Sequence, residues 1–163
     1  KMKRTILLSI FAIATIGLSA QTKTFKGSFF EIKYPATFTA KGSLVSETAG
    51  DGSFDSVFFT SPDGEVEFYV YSPQWSGSAD DIEVQPNETK GKEEYTNGKN
   101  KVIIHYTISA KDGSYARSYQ ETRNRIEKTT TIIGIKYKNM KAYNKYKTQY
   151  LAFKASLVQF ADN

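Results

Sequence analysis

Cysteine is absent from the 163 residues. That excludes a disulfide framework, a thiol nucleophile and acylation of a cysteine at a processed N-terminus, so stability has to come from packing. Histidine is nearly absent, His105 being the only one. One histidine and no cysteine leave a zinc or other transition-metal centre without its usual ligands. Long apolar runs are scarce too: the run at 6–16 falls short of the roughly 20 residues that a spanning helix needs. There is no internal repeat and no low-complexity tract.

What is present begins with a distinct N-terminal segment. Lys1, Lys3 and Arg4 precede that apolar run, and Leu18-Ser19-Ala20 ends it on a small residue. The pattern predicts a secretory signal peptide over 1–20, with Met2 as the expected start and cleavage near Ala20. Residues 21–163 then suffice for a single domain. The formal charge of +5 falls to +2 once the three leader cations are removed, leaving 19 cations against 17 acids. Position is more informative than the total. Residues 42–98 hold two lysines and twelve acids, net −10, whereas 99–163 hold thirteen cations and four acids, net +9. Either the two halves interleave in one sheet and neutralise each other, or a basic face meets an acidic partner or a membrane surface. An exported chain without a concentrated basic and aromatic motif argues against nucleic acid as a partner.

Eleven Phe, eleven Tyr and one Trp supply the apolar area for a core. Alternation at Phe30, Ile32 and Tyr34 predicts a first strand over 25–34, ended by Pro35. Residues 36–44 fit a short helical turn or an irregular connection. A hairpin follows at 54–60 and 65–72, turning through Ser61-Pro62-Asp63-Gly64, with proline second and glycine fourth. Its consecutive bulky residues, Val57-Phe58-Phe59 and Phe68-Tyr69-Val70-Tyr71, must point to both faces of a sheet. Residues 73–101 are polar and read as an excursion with one edge strand near 93–96. A second hairpin is expected at 102–110 and 114–123, then a β-branched central strand at 129–137. Asn139 can cap a helix whose stripe is Ala142, Tyr146, Tyr150, Phe153, Leu157 and Phe160. The fold class is α+β: an antiparallel sheet of hairpins packed by a long C-terminal helix.

Few residues carry chemistry. His105 alternates away from Ile104 and Tyr106, and no pattern supplies the orienting acid and nucleophile that a catalytic role requires. Asp51 to Asp55 place oxygen ligands at alternate positions without the remainder of a calcium loop, and Asp80, Asp81 and Glu83 form a second acidic cluster. Asn87-Glu88-Thr89 fits a glycosylation acceptor. Lys138, Lys141 and Lys145 line the polar side of the helix, a solvated face. Trp75, at the end of a strand and entering the polar stretch, is the type of residue that anchors an interface, or else it folds back over the sheet edge. Trp75, Tyr71 and Tyr69 are the candidate binding residues, with no cofactor and no metal assigned.

The stretch Phe30-Glu31-Ile32-Lys33-Tyr34-Pro35-Ala36-Thr37-Phe38 resembles the opening strand and Tyr-Pro turn of PsbP-like and Mog1-like domains. Tyr146 through Phe160, with Phe153-Lys154-Ala155-Ser156-Leu157, resembles their closing helix. The resemblance implies an α/β/α sandwich and a binding or adaptor role, since such domains attach to photosynthetic membrane complexes or bind a small GTPase and share no catalytic residues. Three functions are therefore weighed. First is an exported non-enzymatic domain for a protein or envelope component. Second is a carrier of a small hydrophobic ligand lined by residues such as Phe58, Phe59, Tyr69 and Tyr71, and third an enzyme using His105.

Overall fold

Bulky residues at successive positions oblige the central strands to be apolar on both faces. The computed structural model describes residues 21–160, and the predicted signal peptide lies outside them. The first half of the chain forms β1 (Thr22–Lys26), β2 (Phe30–Pro35), β3 (Thr39–Gly42), β4 (Ser56–Thr60) and β5 (Val66–Tyr71). After a 3-10 turn at Asp80–Ile82 come β6 (Glu88–Lys90), β7 (Glu94–Asn97), β8 (Lys101–Ala110), β9 (Ala116–Asn124) and β10 (Thr129–Tyr137). The helix α1 (Met140–Ala155) and the short β11 (Val158–Gln159) close the chain.

Eight strands form one antiparallel sheet in the order β3-β4-β5-β10-β9-β8-β6, with β7 also paired to β8. A smaller sheet, β1-β2-β11, lies beside it. Strands of the acidic half, β4 and β5 on one side and β6 and β7 on the other, flank the basic β10, β9 and β8. The two halves thus share one sheet, and they pair across it at Arg117–Glu88 and Lys145–Asp63.

Phe59, Phe68, Val70, Ile133 and Ile135 face α1 and pack with Tyr146, Tyr150 and Phe153, and with Phe30 and Ile32 of the small sheet. The helix starts where the Asn139 side chain accepts the Ala142 N–H at 2.9 Å. Asn139→Ala is expected to cost about 1 kcal/mol, read as a lower urea midpoint with unchanged slope, and Asn139→Ser should recover most of it. Lys145 is not left on a solvated face: its Nζ meets Asp63 Oδ2 at 2.6 Å, and the Tyr146 hydroxyl donates to the same oxygen at 2.7 Å. The Lys145 ammonium and the hydroxyls of Ser61 and Tyr146 hold the Asp63 carboxyl well below the usual range, tying the helix to the β4–β5 turn. In that turn Gly64 N–H donates to Ser61 O at 2.9 Å with φ +66°, a type I turn followed by a left-handed glycine.

The opposite face carries Phe58, Tyr69, Tyr71, Ile108, Tyr119 and Ile132, covered by Leu44, Ala79 and Ile82. The layer there is the polar excursion with its 3-10 turn, so among the described residues only one face of the sandwich is covered by an α-helix.

Four elements differ from expectation. The single strand over 25–34 is two strands folded at Gly27, whose N–H donates to Phe30 O at 2.9 Å and whose place admits no side chain, since a Cβ would lie 2.1 Å from the Phe30 ring. Residues 36–44 hold β3, drawn into the sheet by pairing with β4 from Thr39↔Thr60 to Gly42↔Val57. The excursion contains two strands, β6 and β7, because β8 is long enough to pair with both. The helix stops at Ala155, so Leu157 and Phe160 are not on its stripe. Ser156 ends it by donating its N–H and hydroxyl to Phe153 O and accepting Lys33 N–H at 2.9 Å, which diverts the chain onto β2. Phe160 is left 46% exposed, while Leu157 still packs on the core.

Candidate functional site

Charged residues are rarely buried unless fully partnered. Arg117 of β9 is 7% exposed, and every direction of its guanidinium is used. Nε donates to Glu88 Oε1 at 2.8 Å and Nη2 to Glu88 Oε2, a two-point pairing. Nη1 donates to Ile82 O at 2.8 Å and Nη2 to Glu83 O at 2.8 Å. The Tyr115 hydroxyl and Gln85 N–H complete the Glu88 carboxylate at 2.9 and 2.8 Å. Burial alone would raise the Glu88 carboxyl, but Arg117, the Gln85 N–H and Tyr115 outweigh it and hold it at about 2. This knot fastens the excursion across the second sheet face.

The excursion begins where β5 ends. Ser72 N–H donates to Asp55 O at 2.8 Å, the Ser72 hydroxyl accepts from Gln159 Nε2 at 3.0 Å, and Pro73 is buried. Beyond Gln74 the Ser76 hydroxyl donates to Lys128 O at 2.7 Å. Gly77 permits the chain to cross Tyr71, whose hydroxyl lies 2.3 Å from the position of a Cβ there. Between these fixed points Trp75 is held with 53% of its surface in solvent.

Trp75 borders a cleft of about 330 Å³ walled by Leu44, Val45, Tyr71, Pro73 and the carboxylates of Glu47, Asp55 and Asp80. Asp55 Oδ1 is buried and has no hydrogen-bond partner. Burial raises the Asp55 carboxyl, opposed by the hydroxyls of Ser46 and Ser28, and the Glu47 charge raises it further. Burial and then the charges of Asp55, Asp80 and Asp81 push the Tyr71 hydroxyl up to about 12. Asp81 itself is engaged elsewhere, accepting from Ser56 Oγ at 2.6 Å and Tyr69 OH at 2.7 Å. Of the three candidate binding residues, the fold brings Trp75 and Tyr71 to one cleft. Tyr69 is buried beside Phe58 and Tyr119 and lies outside its wall. The carboxylates that share the cleft come from two stretches of sequence, 47–55 and 80, and only their common excess of acid hinted at them.

The other candidate residues lie elsewhere. His105 is exposed, with Nε2 3.3 Å from Gln120 Oε1, on a cleft of about 330 Å³ shared with Ser118, Tyr143 and Lys154. No carboxylate lines that cleft, and Glu94, which lies opposite His105 across the β7–β8 pairing, forms no ion pair with the imidazole, whose partner is Gln120. Asp51 accepts the Ser53 N–H at 2.9 Å and shapes its own loop. Among the described residues no three His, Asp or Glu side chains are grouped to hold a metal ion. Phe59 packs on Phe153 at 5.3 Å on the helix side, whereas Phe58 packs on Tyr69 at 4.8 Å on the other face. The residues expected to line a hydrophobic carrier are therefore split by the sheet and share no chamber.

No protein-family model and no curated protein matches the chain. Among solved structures it is similar to the solution structure of cyanobacterial PsbP (CyanoP) from Synechocystis sp. PCC 6803, at 12% identity and a TM-score of 0.53, covering 94% of this chain and 99% of that one. It is also similar to the Saccharomyces cerevisiae Ran-binding protein Mog1p, at 10% identity and a TM-score of 0.42, covering 88% and 97%. The first likeness shows a PsbP-like fold. The second adds nothing to it at that score. No helix among the described residues is long and apolar enough to cross a membrane.

Proposed function

We propose, from this PsbP-like fold as the premise, that the chain is an exported, non-enzymatic binding domain that docks a protein or envelope component on the Trp75 cleft. The observation that carries the reading is a lone indole left half in solvent on a chain segment pinned at both ends. A rigidly presented tryptophan loses little conformational freedom on binding and contributes disproportionately to interface energy. Fold alone is a weak warrant for function, so the weight rests on this site. His105 is hydrogen-bonded to the Gln120 amide rather than to a carboxylate, which favours a non-catalytic role, and export is supported by the basic, apolar and small-residue order of residues 1–20.

The experiment is photo-cross-linking in the producing cells with benzoylphenylalanine replacing Trp75. A discrete adduct is expected from position 75 and not from position 151, where Leu151 is about as open to solvent but sits on α1, across the sheet from the cleft. Adducts no stronger at 75 than at 151 would remove the docking reading.

A further inference from the structure

One 16-residue helix cannot cover an eight-stranded sheet. The helix α1 lies over β10, β5 and β2, so β9 and β8, the next strands outward, keep an open face beside it. A cleft of about 330 Å³ follows that step. Ile135, Tyr137, Met140, Tyr143 and Tyr150 give it an apolar wall, in which the rings of Tyr137 and Tyr143 lie 5.2 Å apart and Met140 is 58% exposed. The sheet side is more polar, with Ser118, Gln120 and His105 brought there by the pairing of β8 with β9.

Two basic groups meet at one neutral atom. Gln120 Oε1 accepts from Lys154 Nζ at 2.9 Å and lies 3.3 Å from His105 Nε2. Among the described residues Lys154 forms no ion pair, and Glu94, opposite His105, forms none with either base. Unpaired lysines on the outer side of the helix, Lys141 and Lys147, are exposed and fully served by water. Lys154 is half-buried and is not. Burial holds its ammonium below the ordinary lysine value, and no neighbouring acid opposes that effect. An ammonium has three donors, of which the Gln120 amide takes one. What the cleft lacks is a single negative charge beside its apolar wall.

We propose that this cleft binds a small free carboxylic acid as its monoanion, the carboxylate accepting from Lys154 Nζ and the apolar body lying against Tyr137, Met140 and Tyr143. A phosphate dianion fits less well, because the cleft offers one lysine and no arginine, and a second charge would be desolvated without a partner. The site lies across the sheet from the Trp75 cleft and goes beyond the docking role given to that residue.

Phenylacetate is the probe, titrated into the purified protein by calorimetry and by amide NMR shifts. Saturable binding is expected, with shifts centred on 105, 118–120 and 135–154. Phenylacetamide has the shape without the charge and acetate the charge without the ring, so each should bind about tenfold more weakly or worse. Lys154→Met keeps the aliphatic stem and strands no partner charge. It should hold the parent's urea midpoint while losing about tenfold or more in phenylacetate affinity. Lys141→Met, exposed and outside the cleft, should bind like the parent. Trp75 emission should stay flat throughout. An absence of saturable phenylacetate binding would overturn the site, as would phenylacetamide binding equally well or Lys154→Met binding like the parent. An emission change that tracks the titration would move the acid to the other cleft. Acetyl-Gly-Gly-Phe binding more tightly than phenylacetate would replace the free acid by the carboxyl terminus of a partner chain. Cross-linking at position 75 reads the docking role separately, so either reading can fail while the other stands.

Discussion

Arg117→Ala is expected to destabilise the protein by about 3–5 kcal/mol, the range for removing one member of a buried ion pair. The alanine leaves the Glu88 carboxylate buried with only the Tyr115 hydroxyl and Gln85 N–H, and it strips a donor from the carbonyls of Ile82 and Glu83. Against a typical total stability of about 5–15 kcal/mol this is a large fraction. Urea unfolding gives the size, and faster amide exchange across 82–90 locates it. Replacing both partners together, Arg117→Met with Glu88→Leu, should be much milder because no charge is stranded. The pair also fixes an acid limb. Glu88 titrates at about 2 in the folded protein against an ordinary value of 4.5, so its contribution is complete above about pH 4.5 and is lost as pH falls toward 2. In Arg117→Ala the carboxyl loses its cation and that acid dependence shrinks, so the gap between the two proteins should narrow below about pH 4.5. A gap that stays constant down to pH 2 would mean that Glu88 is not what the arginine holds.

Much of the fold could be read from residue order because one-dimensional patterns suffice for it. The runs at 66–71 and 129–137 hold too many bulky residues for a one-sided strand, and they lie adjacent at the centre of the sheet. Asn139 announces a cap locally, and the structure uses it so. The failures occur where a distant partner decides. The split at Gly27 depends on where the Phe30 ring must lie, and the end of α1 depends on Lys33 reaching Ser156 from 123 positions away. Arg117 alternates with Tyr119 on a buried face, and only a glutamate 29 residues earlier makes that placement tolerable. The site follows the same division. Trp75 stands out in a polar stretch by type alone, whereas Asp55 and Asp80 become one acidic wall only after the excursion has folded back over β5.

Phe153→Ala should cost a further 3–5 kcal/mol, about the range for deleting a fully buried phenylalanine. The ring is 1% exposed and packs edge-on against Phe59 at 5.3 Å and tilted against Phe68 at 5.2 Å, so its loss leaves a void between α1 and the middle of the large sheet. Leu151, two residues earlier on the same helix, is 51% exposed, and Leu151→Ala should stay within about 0.5 kcal/mol. Alanine is the strongest helix former, so neither change weakens the helix itself and the contrast isolates packing against the sheet. Near-ultraviolet circular dichroism of Phe153→Ala should fall well before far-ultraviolet signal is lost. Trp75 emission, by contrast, should stay native until global unfolding, because its cleft lies on the opposite face of β4 and β5 from the void. A shift of that emission at low urea would show that the two faces are mechanically coupled through Phe59 and Phe68, and that the helix side helps to shape the cleft.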